Sequence, residues 1–133
     1  MVGVAQHYED LDAWKLCAAL RDEIFRLTQS GPVTEDSKFR EQIRDSSSSA
    51  PRNIAEGFGR FKPRPFAYFV RIARGSLAET RNHIQDARGK GYFSDDDAVR
   101  LLALHRRASK VTTRFLAYLD SCDGQAPTGW DNS

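Results

Sequence analysis

The stretch Pro65–Ala87, PFAYFVRIARGSLAETRNHIQDA, largely decides the fold class of this chain. Its apolar and small residues recur every three or four positions, which is the spacing of one face of an α-helix. These residues are Phe66, Phe69, Val70, Ala73, Leu77, Thr80, Ile84 and Ala87. Pro65 suits the first turn of a helix, and Gly89 and Gly91 provide its end. The sequence therefore predicts a long amphipathic helix at about residues 65–88.

Three further segments have the same periodicity and predict helices at about residues 10–28, 37–56 and 95–119. Gly31 and Pro32 separate the first two segments, and Ser94 with Asp97 resembles the capping box that begins a helix. No segment of convincing length has the pattern of a strand. Four long helices joined by short connections predict an all-α, antiparallel up-and-down four-helix bundle.

The composition indicates a globular chain of one domain. Its 133 residues are 40% hydrophobic and 29% charged, and no apolar run approaches the roughly 20 residues of a membrane-spanning helix. We assign residues 1–122 to the domain and residues 123–133 to a polar, flexible tail. The N-terminus has no pattern of a secretory signal, and Cys17 and Cys122 form no disulfide framework. A cytoplasmic location is expected.

Catalytic and metal-binding patterns are weak. Glu79 and His83 have the i, i+4 spacing of a shared ligand pair, but no second pair joins them, and a surface pair on a helix is the favoured interpretation. Cys17 lies on an apolar arc, where a cysteine usually serves packing. We therefore predict no catalytic residue, no cofactor and no metal.

The first predicted helix is apolar over more of its circumference than a bundle of one chain requires. This excess predicts a second buried face and hence association of several copies. The residues proposed for the interface are Leu11, Trp14, Ala18 and Phe25.

Polar residues interrupt the apolar end of the second helix and the middle of the third. They include Asn53, Glu56 and Gly57 on the second and Ser76 and Glu79 on the third. Buried polar groups need partners, so this set predicts a structural lock between the two helices, with a ligand site as the alternative. Replacement of a lock residue would then lower the melting temperature. The serines at 46–49 would permit close approach of helices, and proline at 51 should kink or strain the second helix.

The net charge of +2 hides a local excess of basic residues. Between positions 98 and 119 there are five cations and no acid. Such a surface can neutralise phosphates, and the alternative is a solvated face balanced by acids elsewhere, for example on the first helix. Because most aromatic residues have core spacing, any binding is expected to be weakly sequence-specific. The candidate nucleic-acid contacts are Arg60, Lys62, Arg64, Arg71, Arg74, Arg107, Lys110 and Arg114.

Several motifs then occur in an order that resembles the 23S ribosomal RNA intervening-sequence protein family, also called the four-helix-bundle protein family. They are YEDLDAW at 8–14, QIR at 42–44, PRNIAEGFGR at 51–60, the phenylalanines at 66 and 69, and ARGSLAE at 73–79. The resemblance covers roughly residues 8 to 119. The chain departs from it at 45–49, which is more serine-rich than the family pattern.

The resemblance implies a four-helix bundle that assembles into a homopentameric barrel, and it supplies no catalytic residue. One relative is the accessory protein of diversity-generating retroelements, whose basic barrel engages a reverse transcriptase and nucleic acid. By this analogy the partners would be other copies of the chain and RNA or DNA, or a protein such as a reverse transcriptase. The first hypothesis is thus a non-enzymatic oligomeric adaptor that binds nucleic acid. The alternative is a scaffold whose partner is another protein.

Overall fold

The computed structural model describes residues 5–122, and helices are the regular structure throughout that range. The main helices are α1 (Asp12–Leu27), α2 (Ser37–Phe58), α3 (Pro63–Gly89) and α4 (Asp95–Asp120). Short 3-10 turns at Tyr8–Asp10 and Pro32–Glu35 precede α1 and α2. The predicted all-α class with four helices is confirmed, whereas the predicted flexible tail lies outside the described residues.

The helix ends differ from the predicted ones for local reasons. The carboxylate of Asp10 accepts hydrogen bonds from the backbone N–H groups of Gln6 (3.2 Å) and His7 (3.1 Å), which closes a separate turn before α1. At the start of α3, Pro63 occupies the first helical position after an extended Lys62, so the helix begins one half-turn before Pro65. The Ser94 hydroxyl accepts from the Asp97 N–H at 3.1 Å and caps α4 as predicted.

The helices pack in a cycle, each against the next in sequence and α4 against α1. Going along one helix from its start to its end, the contacting residues of the neighbouring helix come progressively earlier in the chain, as antiparallel packing requires. Between α1 and α4, Cys17 contacts Thr112 at 3.7 Å while Glu23 pairs with the earlier Arg100. The connections from α2 to α3 and from α3 to α4 are short, which enforces this reversal of direction.

All four helices contribute to one apolar core. Residues with essentially no exposed surface include Leu20, Ile24, Ile43, Ile54, Leu77, Ile84 and Leu101. A second cluster fills the end of the bundle where α2 meets α3, and it contains Phe58, Phe66, Ala67, Val70, Leu116 and Leu119. Helix α2 continues through Pro51, which is itself buried. Within residues 5–122, no helix is both long and apolar enough to cross a lipid bilayer.

The start of α2 is tied to the end of α1 through two arginines. Arg44 donates from Nε to the Thr28 hydroxyl at 2.8 Å and from Nη2 to the Phe25 carbonyl at 3.1 Å, and Arg40 donates to the Thr28 carbonyl at 2.7 Å. These bonds satisfy carbonyl groups that the end of a helix leaves without partners. They fix the α1–α2 corner at the end of the bundle opposite the α2–α3 connection.

Candidate nucleic-acid interface

Ion pairs divide the cations of the chain into engaged and available ones. Arg71 is bound by both carboxylate oxygens of Asp120, at 2.7 and 2.8 Å, and Arg60 pairs with Glu56 at 3.3 Å. Arg100 reaches Glu23 on α1, so the expected balancing of charge by acids of the first helix does occur for this residue. These cations are less available to a ligand than their sequence positions suggest.

Six of the eight candidate basic residues are exposed and have no ion-pair partner within 4.0 Å among residues 5–122. They are Lys62, Arg64, Arg74, Arg107, Lys110 and Arg114. The last three lie along α4, Lys62 lies in the α2–α3 connection, and Arg64 and Arg74 lie on α3. Free cations are therefore concentrated on α3, on α4 and at one end of the bundle.

A groove beside α4 brings several of these cations together. Its volume is about 670 Å³, and α3 contributes one of its residues. It is lined by Arg81, Leu102, His105, Arg106, Ser109, Lys110, Thr113 and Arg114. The lining thus combines four cations with two hydroxyl groups and contains no carboxylate. We refer to this feature as the α3–α4 groove.

The local sequence explains how the groove forms. Arg106, Lys110 and Arg114 follow one another at four-residue steps, which places them along one side of a helix. Arg74 and Arg81 are seven residues apart on α3 and therefore share a face of that helix. Sequence reasoning missed Arg81 and Arg106. The spacings were visible, but the antiparallel packing of α3 and α4 was needed to show that Arg81 lines one groove with the cations of α4.

His105 forms the inner part of the groove and joins its two helices. The side chain is buried, and Nε2 lies 2.7 Å from the Leu77 carbonyl of α3, to which it donates. Burial lowers the pKa of His105, and the neighbouring cations Arg81 and Arg106 lower it further, against the opposing effect of the Leu77 hydrogen bond. His105 is consequently a neutral structural contact at pH 7, and the positive charge of the groove comes from Arg and Lys.

Among residues 5–122, three exposed aromatic side chains are exceptions to the core spacing that the sequence indicated, and one of them is Tyr118 on α4. Phe61 at the α2–α3 connection is 54% exposed, and Tyr68 on α3 is 59% exposed. Phe61 directly precedes the free cation Lys62, and Tyr68 follows the free cation Arg64 by four residues. The surface near the α2–α3 connection therefore mixes cations with exposed aromatic rings.

The predicted lock between α2 and α3 involves partly different residues. Asn53 donates to the Ser49 carbonyl at 2.8 Å and to its hydroxyl at 3.0 Å, and the Ser49 hydroxyl lies 2.7 Å from that of Ser76. Ser76 thus takes part in a hydrogen-bonded link across the two helices. Glu79, by contrast, is exposed and extends along α3 to His83, with 3.4 Å between Oε2 and Nε2. The serine run, more than the acidic residues, supplies the polar contacts.

The other two residues of that set lie near the end of α2. Glu56 is exposed and pairs with Arg60. Gly57 is buried where α2 meets α3, and a Cβ atom there would lie 2.7 Å from Cδ1 of Phe66. The missing side chain of Gly57 therefore allows the close approach of the two helices.

The proposed interface residues of α1 are largely covered by their own chain. Ala18 is buried, and Leu11 and Trp14 pack against the core. The Trp14 ring also meets Tyr8, with 5.3 Å between ring centroids. The guanidinium of Arg44 lies 4.4 Å from the centroid of Phe25. The wide apolar arc of α1 is thus mostly used within the monomer.

The remaining reactive side chains have structural surroundings. Cys17 is buried and lies against Thr112, and burial raises the pKa of its thiol to about 11. In the part of the chain that the structure describes, no group of three or more His, Cys, Asp or Glu residues is arranged to hold a metal ion.

The fold defines a four-helix, all-α protein. The chain belongs to the family of 23S rRNA-intervening sequence proteins, whose family model matches residues 9–114. This match confirms the resemblance drawn from the sequence motifs, and it includes all the residues that line the α3–α4 groove. No match was found among curated proteins.

Proposed function

We propose that this protein is a non-enzymatic adaptor that binds nucleic acid through the α3–α4 groove and the adjoining cations. The observation that carries the proposal is the absence of any carboxylate among the residues lining a groove with four cations. One arginine guanidinium group can donate two parallel hydrogen bonds to a phosphate group. The hydroxyls of Ser109 and Thr113 offer further donors. Because phosphate contacts carry no base information, binding would be weakly sequence-specific.

Binding to labelled RNA and DNA at increasing salt tests the proposal. Each phosphate contact releases counterions, so the logarithm of affinity falls linearly with the logarithm of salt concentration. The double variant Arg106→Gln, Lys110→Gln is expected to bind more weakly at low salt. Its salt slope should be shallower by about 0.9 per lost contact on duplex DNA and about 0.7 on single strands.

The matched control removes the same charge elsewhere. Lys15 on α1 and Lys38 on α2 are exposed, and the described residues give them no ion-pair partner within 4.0 Å. The variant Lys15→Gln, Lys38→Gln should retain nearly the wild-type affinity and slope. Equal losses in both variants would mean that net charge alone matters, and no binding to RNA or DNA at low salt would refute the proposal.

We further propose that copies of the chain associate, with the homopentamer implied by the family resemblance as the expected assembly. Association would cover the exposed apolar side chains of Ile72 on α3 and Val99 on α4. The α1 residues give less support, because the chain itself covers most of them. Light scattering should give a mass about five times the 15.0 kDa of one chain. A monomer at micromolar concentration would exclude the pentamer.

A protein partner is the second candidate function. The cationic groove contains Leu102, and Val99 is 58% exposed one turn before Leu102 on α4, so an acidic protein with apolar side chains also fits. Affinity capture from the native cell with nuclease treatment separates the two functions. A partner that survives nuclease and is lost in the Arg106→Gln, Lys110→Gln variant would favour the scaffold.

A further inference from the structure

A cluster of aromatic and cationic side chains surrounds the α2–α3 connection, and we call it the aromatic patch. It consists of Arg60, Phe61, Lys62, Arg64, Tyr68 and Phe69. These residues come from the connection itself and from the first two turns of α3. Two rings of the patch are not part of the core, because Phe61 and Tyr68 have more than half of their surface exposed.

The rings of the patch are linked by close contacts. The guanidinium of Arg60 lies 5.0 Å from the centroid of the Phe69 ring, and the Tyr68 ring meets Phe69 edge to face at 5.2 Å. Phe61 follows Arg60 in the chain, and its ring lies 6.0 Å from that of Phe58. Arg60 thus contacts the Phe69 ring, which in turn contacts Tyr68, and Phe61 is the next residue after Arg60 in the chain.

Phe61 is held in a conformation that L side chains rarely adopt. Its φ angle is +60°, in the left-handed region that favours glycine. Because more than half of the ring is exposed, packing in the core does not explain why a phenylalanine occupies this position. Backbone strain of this kind is concentrated at functional sites.

The charges of the patch favour an anionic partner. Lys62 and Arg64 are exposed, and neither forms an ion pair with any residue in the range 5–122. Arg64 precedes Tyr68 by one helical turn and so shares its face of α3. The nearby Glu56 is paired with Arg60. Interfaces between protein chains are enriched in aromatic residues and Arg but depleted in Lys, so the exposed Lys62 in particular favours an anionic partner over a second copy of this chain.

We propose that the aromatic patch stacks unpaired bases of a single-stranded nucleic acid, with Lys62 and Arg64 binding the adjoining phosphates. The inference rests on the proposed function and adds the class of nucleic acid. Bases of a duplex are already stacked on their neighbours, whereas a single strand can splay its bases onto protein rings. Phe61 and Tyr68 supply such rings beside two free cations.

Three DNA probes of equal length test the inference by fluorescence anisotropy: a single strand, its duplex, and an abasic strand with the same phosphates. Stacking predicts that Phe61→Ala or Tyr68→Ala weakens binding of the base-bearing single strand by roughly 5-fold to 100-fold. Binding of the duplex and of the abasic strand should stay unchanged. Tyr68→Phe should bind like the wild type and Tyr68→Leu like Tyr68→Ala, because stacking needs an aromatic ring.

Gln29→Ala is the control, because it shortens an exposed side chain at the α1–α2 connection, at the end of the bundle opposite the patch. It should leave the affinity for all three probes unchanged. An equal loss on the abasic strand, or no loss on the base-bearing strand, overturns the inference. A fall in assembly mass for Tyr68→Ala also overturns it, since the patch would then join copies of the chain.

The same measurements separate failure of the inference from failure of the proposed function. Unchanged stacking variants, together with weaker binding of the Arg106→Gln, Lys110→Gln variant, would refute only the inference. Absence of binding to every probe at low salt would refute both.

Discussion

The hydroxyl oxygen of Thr80 on α3 lies 3.0 Å from that of Ser46 on α2, and both side chains are buried. Thr80 also donates to the Ser76 carbonyl at 2.8 Å, and the Ser76 hydroxyl contacts Ser49. Two polar links thus join α2 and α3. They explain why a run of serines lies in the middle of α2, where small side chains also allow the helices to approach.

Removal of the Thr80 hydroxyl tests this link. In Thr80→Val the buried hydroxyl of Ser46 loses its partner on α3, and we expect a loss of about 1–3 kcal/mol in the free energy of unfolding. The double variant Thr80→Val, Ser46→Ala should recover part of the loss, because it also removes the Ser46 hydroxyl, whose remaining partner in Thr80→Val is the Ile43 carbonyl at 3.3 Å. Chemical denaturation measures both values. A change below about 0.5 kcal/mol for Thr80→Val, the usual range of surface substitutions, would contradict the role of the link.

A methyl group at Gly57 should disturb the contact between α2 and α3. The added Cβ would lie 2.7 Å from Cδ1 of Phe66 and 3.0 Å from Cβ of Phe69, so either the buried Phe66 ring or the helices must shift. We expect Gly57→Ala to lower stability by about 1–3 kcal/mol. Gly75→Ala is the control, since nothing lies within 4 Å of a Cβ there. That variant should stabilise α3 by about 0.5–1 kcal/mol, and the opposite order of the two melting temperatures would disprove the packing argument.

Glu23 should contribute to the acid sensitivity of the protein. Hydrogen bonds from Arg26, and then from Arg100, lower the pKa of its carboxyl from 4.5 to about 2. A lowered pKa in the folded state means that the stabilisation is present above pH 4.5 and is lost as pH falls towards 2. Because these groups are partly exposed, the contribution at pH 7 is about 1 kcal/mol.

The variant Glu23→Gln should therefore be less stable than the wild type at pH 7, and the difference should disappear near pH 2. Urea denaturation across this pH range measures the effect. The control is Glu41→Gln, which changes an exposed carboxylate of α2 with no ion pair in the described residues. A constant difference between Glu23→Gln and wild type at all pH values would rule out the proposed titration.

The left-handed conformation of Phe61 predicts an unusual order of stability. At a φ angle of +60°, glycine avoids the steric cost that alanine retains. We expect Phe61→Gly to be more stable than Phe61→Ala by about 1 kcal/mol. Thermal unfolding of the two variants measures the difference, and Arg52→Gly against Arg52→Ala, within α2, should give the reverse order. Equal stability at position 61 would show that the backbone there is not strained.

The helices themselves were predictable because helical periodicity is a local property of the sequence. The start of α4 was recognised from Ser94 and Asp97, whose spacing alone encodes the cap. The start of α3 was less predictable, because Pro63 and Pro65 are both compatible with a first turn. The polar link between α2 and α3 was expected, but Glu79 was a poor choice for it. Its position does not reveal that the side chain extends along its own helix to His83.

The sequence by itself determined four amphipathic helices, their approximate ends and an excess of cations on α3 and α4, since each depends on residues close together in the chain. The tertiary structure decided which cations are available. Arg71 and Asp120 are 49 positions apart, and only antiparallel packing brings them into an ion pair. The same packing gathers Arg81 and Arg106 at one groove and leaves Tyr68 on the surface. Charge neutralisation and exposure depend on which distant side chains meet, and helical spacing does not contain that information.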